Sequence, residues 1–448
     1  MSGRRLLMLL VVLAAIGLPA GVLQALCVGR SCEAEGGEAS RVPFCPLPAP
    51  LRDLLTNGYR EGRSPDVLGV VQDAPVYTEI AGTPLSWPAA GTDVDDIAVP
   101  LAFAGPGVPR DVELPSGLTL DRVAPTIAQI LSFERPFPDV RSGTAIDDIA
   151  GGDAPTLVLL IGWKGVGAED LSARPDDWPF LASLLDEGAG TLEASTGSLP
   201  LDPAATLTTL GTGGLPSQHG ITGSFVRNET GEVVAAFGTG APVPVIATLA
   251  DDLDAPSSPG VPSPFEQRPV ISLVATDDGD RGLVGGDWYE NHDTDRVILA
   301  AGAEAVSSAR SLLSDHRDDG VPDLLGVVLD GSIRSMDRRS EQIAAAAGDV
   351  TDGSVLIVIA GTGADSSSTS AEPDRALVSA IEDAVPGEAP VVAATVPGGI
   401  FLDQQALTEA GVSGQVAVDA LLGVTGLDGR EMMADAFQGF AISFARYC

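Results

Sequence analysis

Basic side chains are scarce in this chain of 448 residues. It contains 25 Lys and Arg residues against 62 Asp and Glu residues, so its formal net charge is −37. Lys164 is its single lysine. This imbalance argues strongly against a surface that binds nucleic acid or anionic lipid, because both are polyanions. We expect most of the acidic residues to solvate the exterior.

The sequence is also not that of a disordered chain. Its hydrophobic content is 44%, and its length suffices for one large or two ordinary domains. Apolar runs typical of buried strands alternate with segments of helical periodicity. Examples of these strands are PTLVLLIGW (155–163), PVISLVAT (269–276), DLLGVVLDG (323–331) and the run at 354–360. This alternation predicts an α/β fold, a mostly parallel sheet sandwiched by helices.

The first 30 residues predict export. Arg4 and Arg5 precede LLMLLVVLAAIGLPAGVLQALCV, which has about the ~20 apolar residues needed to cross a bilayer. The segment is either a signal-anchor helix or a cleaved signal peptide. Both readings place the rest of the chain on the extracytoplasmic side, at the cell membrane or secreted. Residues 31–62 then read as an extracytoplasmic linker, and residues 63–448 as a single domain.

The four cysteines agree with export, because all of them follow the apolar segment. An even number of cysteines outside the cytoplasm usually forms disulfides, and three pairings are open. A metal site is the alternative, but the spacings match no zinc pattern. The residues are Cys27, Cys32, Cys45 and Cys448.

Three segments follow one another in the central part of the chain: LLIGWKG (159–165), P-x-x-x-LTTLGTG (203–213) and LPSQHGITG (215–223). In this order and spacing they resemble the alkaline phosphatase superfamily, in particular its type I phosphodiesterase/nucleotide pyrophosphatase branch. The earlier segments AVPLAFAGPGV (98–108) and LTLDRVAPTIAQIL (118–131) resemble the last third of that family's catalytic domain. The resemblance therefore implies a circularly permuted domain, in which residues 63–147 supply a sheet edge that normally comes last.

The resemblance implies two divalent ions such as zinc and a Thr or Ser nucleophile, yet the positions that would supply them are changed. Lys164 stands where the family has its first metal-binding Asp, and Asp202 or Pro203 falls at the nucleophile position. Gly361-Thr362 replaces the Asp-His pair of a Ser-Asp-His-Gly motif. The family's His before the VPL strand is Ala98.

Asp330 is a weak candidate for one surviving metal ligand, although Arg334 rather than His follows four residues later. Lys164 either pairs with Asp202 or points into solvent. Among the histidines, His219 is expected to be structural, His316 solvated and His292 a surface residue.

Permutation predicts that the two ends of the domain lie together. On that ground the resemblance favours a Cys45–Cys448 disulfide, with Cys27–Cys32 as a local one.

These observations predict an exported, membrane-tethered and catalytically inactive phosphodiesterase-like protein. It would need no cofactor and would bind an unidentified ligand or protein of the cell envelope. The alternative is an active metal-dependent hydrolase of phosphoric esters, with a site rebuilt from Asp202, Asp330 and the acidic stretch 276–295.

Overall fold

An eight-stranded sheet organises the larger part of the fold. The structure, a computed structural model, describes residues 42–72, 76–80, 83–147, 149, 151–255, 265, 267–285, 296–363, 372–387, 389–426 and 429–448. The N-terminal apolar segment, Cys27, Cys32 and His292 lie outside these residues.

The strands of the large sheet follow the order β11-β10-β12-β6-β13-β4-β7-β5. The five strands from β11 to β13 are mutually parallel, whereas β4 is antiparallel to both of its neighbours. This mostly parallel α/β sheet confirms the predicted fold class. Its strands are β4 (Ala98–Ala104), β5 (Val112–Glu113), β6 (Leu157–Trp163), β7 (Ala189–Ser195), β10 (Ile271–Ala275), β11 (Arg296–Leu299), β12 (Asp323–Leu329) and β13 (Val355–Gly361).

Helices cover both faces of this sheet. The sequence of β6 is apolar throughout because its side chains are buried on both faces. Val158 and Leu160 pack into one hydrophobic cluster, whereas Leu157, Leu159 and Ile161 pack into another on the opposite face. A strand covered on both sides reads as a continuous hydrophobic run. The helices are α1 (Ala49–Gly58), α2 (Val123–Ile130), α3 (Ala168–Ser172), α4 (Pro179–Glu187), α5 (Pro203–Thr212), α6 (Pro216–His219), α7 (Leu249–Leu253), α8 (Glu304–Leu313), α9 (Ile333–Val350), α10 (Arg375–Ala384), α11 (Gln404–Ala410) and α12 (Gln415–Leu422).

A second, antiparallel sheet joins an early strand to the C-terminal section, in the order β15-β16-β1-β17. The early segment 63–147 therefore supplies one strand that does not join the large sheet. The strands are β1 (Val67–Val71), β15 (Val392–Val396), β16 (Gly399–Leu402) and β17 (Met433–Gln438). Short strands elsewhere are β2 (Val76–Ile80), β3 (Thr83–Ser86), β8 (Phe225–Arg227), β9 (Val233–Ala235) and β14 (Glu372–Pro373).

Beyond β13 the large sheet has three more strands, β4, β7 and β5. The early segment 63–147 supplies two of them. Of these, β4 pairs with β13, and β5 is the last strand. Between them lies β7 from later in the chain. The segment and β7 together therefore form this part of the sheet.

The compact unit begins at Pro43, not at residue 63. Leu51 and Leu55 of α1 are buried, and they pack in one cluster with Phe44 and Phe437. The part of the expected linker from residue 43 onwards therefore belongs to the folded domain, because it contributes to the core.

The ends of this unit are covalently joined. Cys45 and Cys448 form a disulfide across a sequence separation of 403 residues, with Cα atoms 5.1 Å apart. The Phe44 amide also donates to the carboxylate of Asp435 at 2.9 Å. The predicted Cys45–Cys448 pairing is thus present.

Five short 3₁₀ helices complete the described elements. They are Leu120–Arg122, Pro138–Val140, Pro175–Asp177, Asp278–Leu283 and Gly439–Tyr447.

Candidate functional site

The carboxyl ends of the parallel strands gather polar residues at one edge of the large sheet. Lys164 directly follows β6, Thr276 follows β10 and Thr362 follows β13. Since β10, β6 and β13 run in the same direction, their last residues reach the same edge. The Lys164 amide donates to the carbonyl of Leu329 in β12 at 2.9 Å, which fixes the start of the following loop.

The ammonium group of Lys164 is held by two carboxylates and a hydroxyl. Its Nζ lies 2.8 Å from Asp277 Oδ2, 2.9 Å from Asp280 Oδ1 and 2.9 Å from Thr276 Oγ1. The side chain of Lys164 is 17% exposed and that of Asp280 is 1% exposed, whereas that of Asp277 is 45% exposed. We call Lys164, Thr276, Asp277 and Asp280 the lysine cluster.

The backbone after β10 shapes this cluster. Asp280 Oδ2 accepts hydrogen bonds from the amide and the hydroxyl of Thr276, both at 2.7 Å. Asp277 is the N-terminal cap of the 3₁₀ helix Asp278–Leu283 and accepts from the Gly279 amide at 2.8 Å. The two carboxylates are therefore oriented by their own turn before the lysine reaches them.

Charge and burial compete within the lysine cluster. Burial alone would lower the pKa of Lys164, but Asp280 and Asp277 outweigh it and raise that pKa. Burial raises the pKa of Asp280, although the lysine opposes this effect. Lys164 therefore remains a cation at neutral pH and acts as the counter-ion of a buried carboxylate.

Asp202, at the family's nucleophile position, caps α5 instead of facing a substrate. Its side chain is buried and accepts from the Ala204 amide at 3.0 Å, the Ser224 amide at 2.8 Å and the Ser224 hydroxyl at 2.9 Å. Burial raises the pKa of Asp202 against these hydrogen bonds. Pro203 follows as the first residue of the helix, a position where its missing N–H costs nothing.

The expected Lys164–Asp202 pair is wrong, and so is the solvent-exposed alternative. Between these two residues, both of which are described, there is neither a hydrogen bond nor an ion pair. Lys164 instead turns toward the loop after β10, where two carboxylates and a hydroxyl are already oriented. Asp202 has its own donors in Ala204 and Ser224.

The end of β13 is packed too closely for a metal-binding side chain. A Cβ atom on Gly361 would lie 2.4 Å from the carbonyl oxygen of Val166 and 2.8 Å from Cδ of Pro100. Thr362 is buried, and its hydroxyl accepts from the Gly165 amide at 3.0 Å. Both residues therefore serve to fasten the loop after β6 against β13.

Ala98 and Asp330 complete the positions expected from the sequence. Ala98 begins β4, and its methyl group offers no donor atom to a metal. Asp330 follows β12 at the same edge, with a side chain that is 45% exposed and 3.8 Å from Arg339 Nη1. Its backbone carbonyl also accepts from Arg339 at 2.8 Å. Asp330 is thus an arginine partner in this arrangement.

The two described histidines differ in how well the sequence predicted them. His219 is fully buried, and it bonds Thr209 Oγ1 at 3.1 Å through Nε2 and the Ile221 amide at 3.1 Å through Nδ1, as expected of a structural residue. His316 was expected to be solvated, but its side chain is 5% exposed and its Nδ1 lies 2.7 Å from Asp323 Oδ2. The polar residues that surround His316 in sequence gave no indication of this partner.

Two divalent ions do not fit this set of residues. A cationic ammonium takes the first ligand position, and the packing around Gly361 excludes the side chain that the second motif would need. The described part of the chain holds no group of three or more His, Cys, Asp or Glu side chains arranged to hold a metal ion.

The sequence reasoning missed Thr276, Asp277 and Asp280 as the partners of Lys164. A usable signal was present, since the acidic residues DDGD come directly after a buried strand. The sequence did not show the order of the strands. In the sheet only β12 lies between β10 and β6, so the loops after β10 and β6 are close to each other.

One comparison with known proteins relates part of this site to a family. Residues 158–252 match the family model of type I phosphodiesterase/nucleotide pyrophosphatase. A search of curated proteins found no match. The matched part contains Lys164 and Asp202 but ends before Asp277, Asp280 and Gly361. The segment 158–252 is thus related to the type I phosphodiesterase/nucleotide pyrophosphatase family, within the alkaline phosphatase superfamily.

Proposed function

We propose that this phosphodiesterase-like protein is exported, tethered to the cell membrane by its N-terminal segment, and acts by binding in the cell envelope without hydrolysing phosphoric esters. The observation that carries the proposal is the lysine cluster. An ammonium group with its carboxylate partners at 2.8 and 2.9 Å stands where a two-metal phosphodiesterase needs an anionic ligand.

Electrostatics supports the inactive reading. Two divalent ions in a phosphodiesterase site neutralise the phosphoryl oxygens and activate the attacking hydroxyl. Lys164 supplies one positive charge, and Asp277 and Asp280 already engage it. A phosphate ester approaching this edge would thus meet a cluster with more carboxylates than cations.

The nucleophile position supports the same conclusion. A carboxylate that attacks phosphorus needs an accessible oxygen lone pair and an ionised state. Asp202 is buried, and three donors occupy its oxygens. The alternative of an active hydrolase that uses Asp202 would require this helix cap to be broken.

Export is supported by two features. The apolar residues of the N-terminal segment follow two arginines, and the folded unit contains a disulfide that closes nearly the whole chain. Such a disulfide is typical of an oxidising compartment. No helix among the described residues is long and apolar enough to span a membrane.

A cavity near the lysine cluster supports a role in binding. It has a volume of about 320 Å³ and is lined on one side by the apolar residues Phe237, Pro244 and Ile246. Asp278 and Arg281, from the same 3₁₀ helix as Asp280, line another side. The wall of this cavity thus combines apolar side chains with polar and charged groups, so that a ligand could make both kinds of contact there.

The test is metal content by elemental analysis of the full-length protein in detergent, together with a phosphodiesterase assay in added Zn²⁺ or Mn²⁺. We expect no stoichiometric metal and no turnover. A matched variant, Lys164→Asp, restores the family's residue at one position. We expect it to remain inactive, because the space at Gly361 and the donor at Ala98 are still lacking.

About two bound ions per chain, together with hydrolysis by the wild type, would overturn the inactive reading. Asp202→Asn and Asp330→Asn would then show which carboxylate takes part.

A further inference from the structure

Three aromatic side chains lie exposed and in contact at the C-terminal end of the domain. Phe440 and Phe444 are each 52% exposed, and Tyr447 is 65% exposed. The ring centroids of Phe440 and Phe444 are 6.4 Å apart, and those of Phe444 and Tyr447 are also 6.4 Å apart. We call these three residues the aromatic patch.

The fold holds this patch outward. The 3₁₀ helix Gly439–Tyr447 buries Ile442 on its inner side. Cys448, directly after the helix, is fastened to Cys45 by the disulfide. The helix is thus attached at its middle and at its end, and the three rings remain on the other side. Contiguous exposed apolar surface of this kind marks an interaction site.

The stretch of chain that carries the patch differs from the whole chain in its content of acidic residues. Residues 436–448 contain no acidic side chain, in a chain that has 62 acidic residues. Arg446 is the charged side chain in this stretch, and its guanidinium carbon lies 4.8 Å from the centroid of the Tyr447 ring. The stretch that carries the patch therefore adds no acidic side chain of its own.

The position of the patch along the chain indicates what covers it. The disulfide places the end of the 3₁₀ helix beside Cys45. Residues 29–44 separate Cys45 from the apolar N-terminal segment, and a chain of that length reaches at most ~60 Å when fully extended. If the N-terminal segment is in a bilayer, this covalent link keeps the disulfide, and with it the patch, within reach of the bilayer surface.

We propose that Phe440, Phe444 and Tyr447 form a lipid-contact surface that seats the domain on the interfacial region of the membrane. The inference rests on the membrane tether of the proposed function. Aromatic rings are enriched at the headgroup level of membranes, where an amphipathic ring such as that of Tyr447 has both an apolar and a wet side. The ligand is the neutral, zwitterionic lipid interface, since the acidic exterior disfavours anionic lipid.

The experiment places the full-length protein in phosphatidylcholine vesicles and uses two separate readouts. Co-flotation with the vesicles reports the tether. Quenching of a tryptophan at position 444 by lipids with brominated acyl chains reports contact of the patch with the bilayer. The variant is Phe444→Trp, and the matched control is Phe137→Trp, because Phe137 is 63% exposed in another part of the fold.

We expect both variants to float. Relative to vesicles without bromine, brominated lipid should cause a loss of emission from Phe444→Trp beyond that of wild type, and no such loss from Phe137→Trp. Flotation without the additional quenching would overturn the lipid-contact surface and leave the tether standing. Failure to float would overturn the tether and the inference with it. Protection of the new tryptophan from both brominated lipid and aqueous iodide would show that protein covers the patch, which also overturns the inference.

Discussion

Two ion clusters flank α5, and they are built in opposite ways. The lysine cluster has one cation and two carboxylates, and Asp277 in it is 45% exposed. The second cluster has two guanidinium groups around one carboxylate. Arg135 Nε lies 2.8 Å and Arg141 Nη2 3.0 Å from Asp252 Oδ2, with all three side chains at most 5% exposed. We call these three residues the arginine cluster.

The arginine cluster fastens one end of a helix. Arg135 Nη1 and Arg141 Nε donate to the carbonyl of Thr212, the last residue of α5, at 2.8 and 3.0 Å. Both arginines also donate to the carbonyl of Ala247. Positive charge at a helix C-terminus and a carboxylate at its N-terminal cap both oppose the helix dipole. With Asp202 at the other end, α5 is stabilised at both termini.

The difference separates a fully buried ion network that fastens a helix end from a partly exposed one at the edge of the sheet. Guanidinium groups with several fixed donors suit a buried network of carbonyls. A compact ammonium on a flexible stem can reach into a pair of carboxylates at a sheet edge, where a metal ion stands in the related enzymes. The arginine cluster should therefore dominate stability, and the lysine cluster should respond most to pH.

The largest effect is expected for Arg135→Ala. The change removes hydrogen bonds to Asp252, Thr212 and Ala247. Breaking a buried pair of this kind costs about 3–5 kcal/mol of unfolding free energy. Urea unfolding followed by circular dichroism measures this loss. Arg338→Ala is the control, because Arg338 is exposed on α9 and should change stability by at most about 0.5 kcal/mol. Equal losses in the two variants would contradict the structural role of the arginine cluster.

A smaller, pH-dependent effect is expected for Lys164→Met. The change leaves Asp280 buried without its counter-ion, so we expect a loss of about 1–3 kcal/mol at pH 7. The folded-state pKa of Asp280 is raised above its ordinary 3.8. The folded state then binds a proton more readily than the unfolded state, and stability falls as pH rises from 3.8 through the raised value.

Without the lysine that pKa rises further, because Lys164 opposes the shift. The difference in unfolding free energy between wild type and variant should therefore be larger at pH 7 than at pH 4, as measured by urea unfolding at both. Asp277→Asn serves as the control, since it keeps both the ammonium and Asp280. An equal difference at the two pH values would mean that packing, not charge, is what Lys164 contributes.

The sequence predicted the parts of this arrangement that are local. Apolar runs located β6, β10, β12 and β13, because burial on both faces needs a continuous hydrophobic stretch. The start of α5 carries signals of the same local kind, with Asp202 as the N-terminal cap and Pro203 as the first helical residue. Such local signals do not predict the order of the strands. That order determines which carboxylates lie close enough to pair with Lys164.

The same limit explains the errors. His316 was predicted to be solvated from its polar neighbours, but Asp323 reaches it from the start of β12. The stretch around α1 looked like a linker, but Leu51 and Leu55 complete a core that includes Phe437 from the far end of the chain. In each case a partner distant in sequence determined the burial.

The smallest change in stability is expected for a variant of His219. This side chain is a buried neutral group beside α5, whereas the two clusters are charged. Since the Ile221 amide donates to Nδ1 of His219, the ring proton lies on Nε2 and donates to Thr209 Oγ1. The Thr209 hydroxyl in turn donates to the carbonyl of Ala205 at 3.1 Å. This chain of donors requires a neutral ring. Burial first, and then Arg60 and Arg63, lower the pKa of His219 from 6.5 to about 3.

A depressed histidine pKa means that the unfolded state binds the proton first as pH falls. The stability contributed by His219 is therefore complete above its ordinary 6.5 and is lost as pH falls toward about 3. Linkage predicts a loss of about 1.4 kcal/mol between pH 7.5 and pH 5.5. His219→Gln should be less stable overall but lack this slope in urea unfolding at the two pH values. His316 is present in both proteins, so any contribution that it makes to the pH dependence cancels when the two slopes are subtracted. Equal slopes would show that the ring of His219 accepts a proton in the folded state, and the donor chain through Thr209 would then have to be reversed.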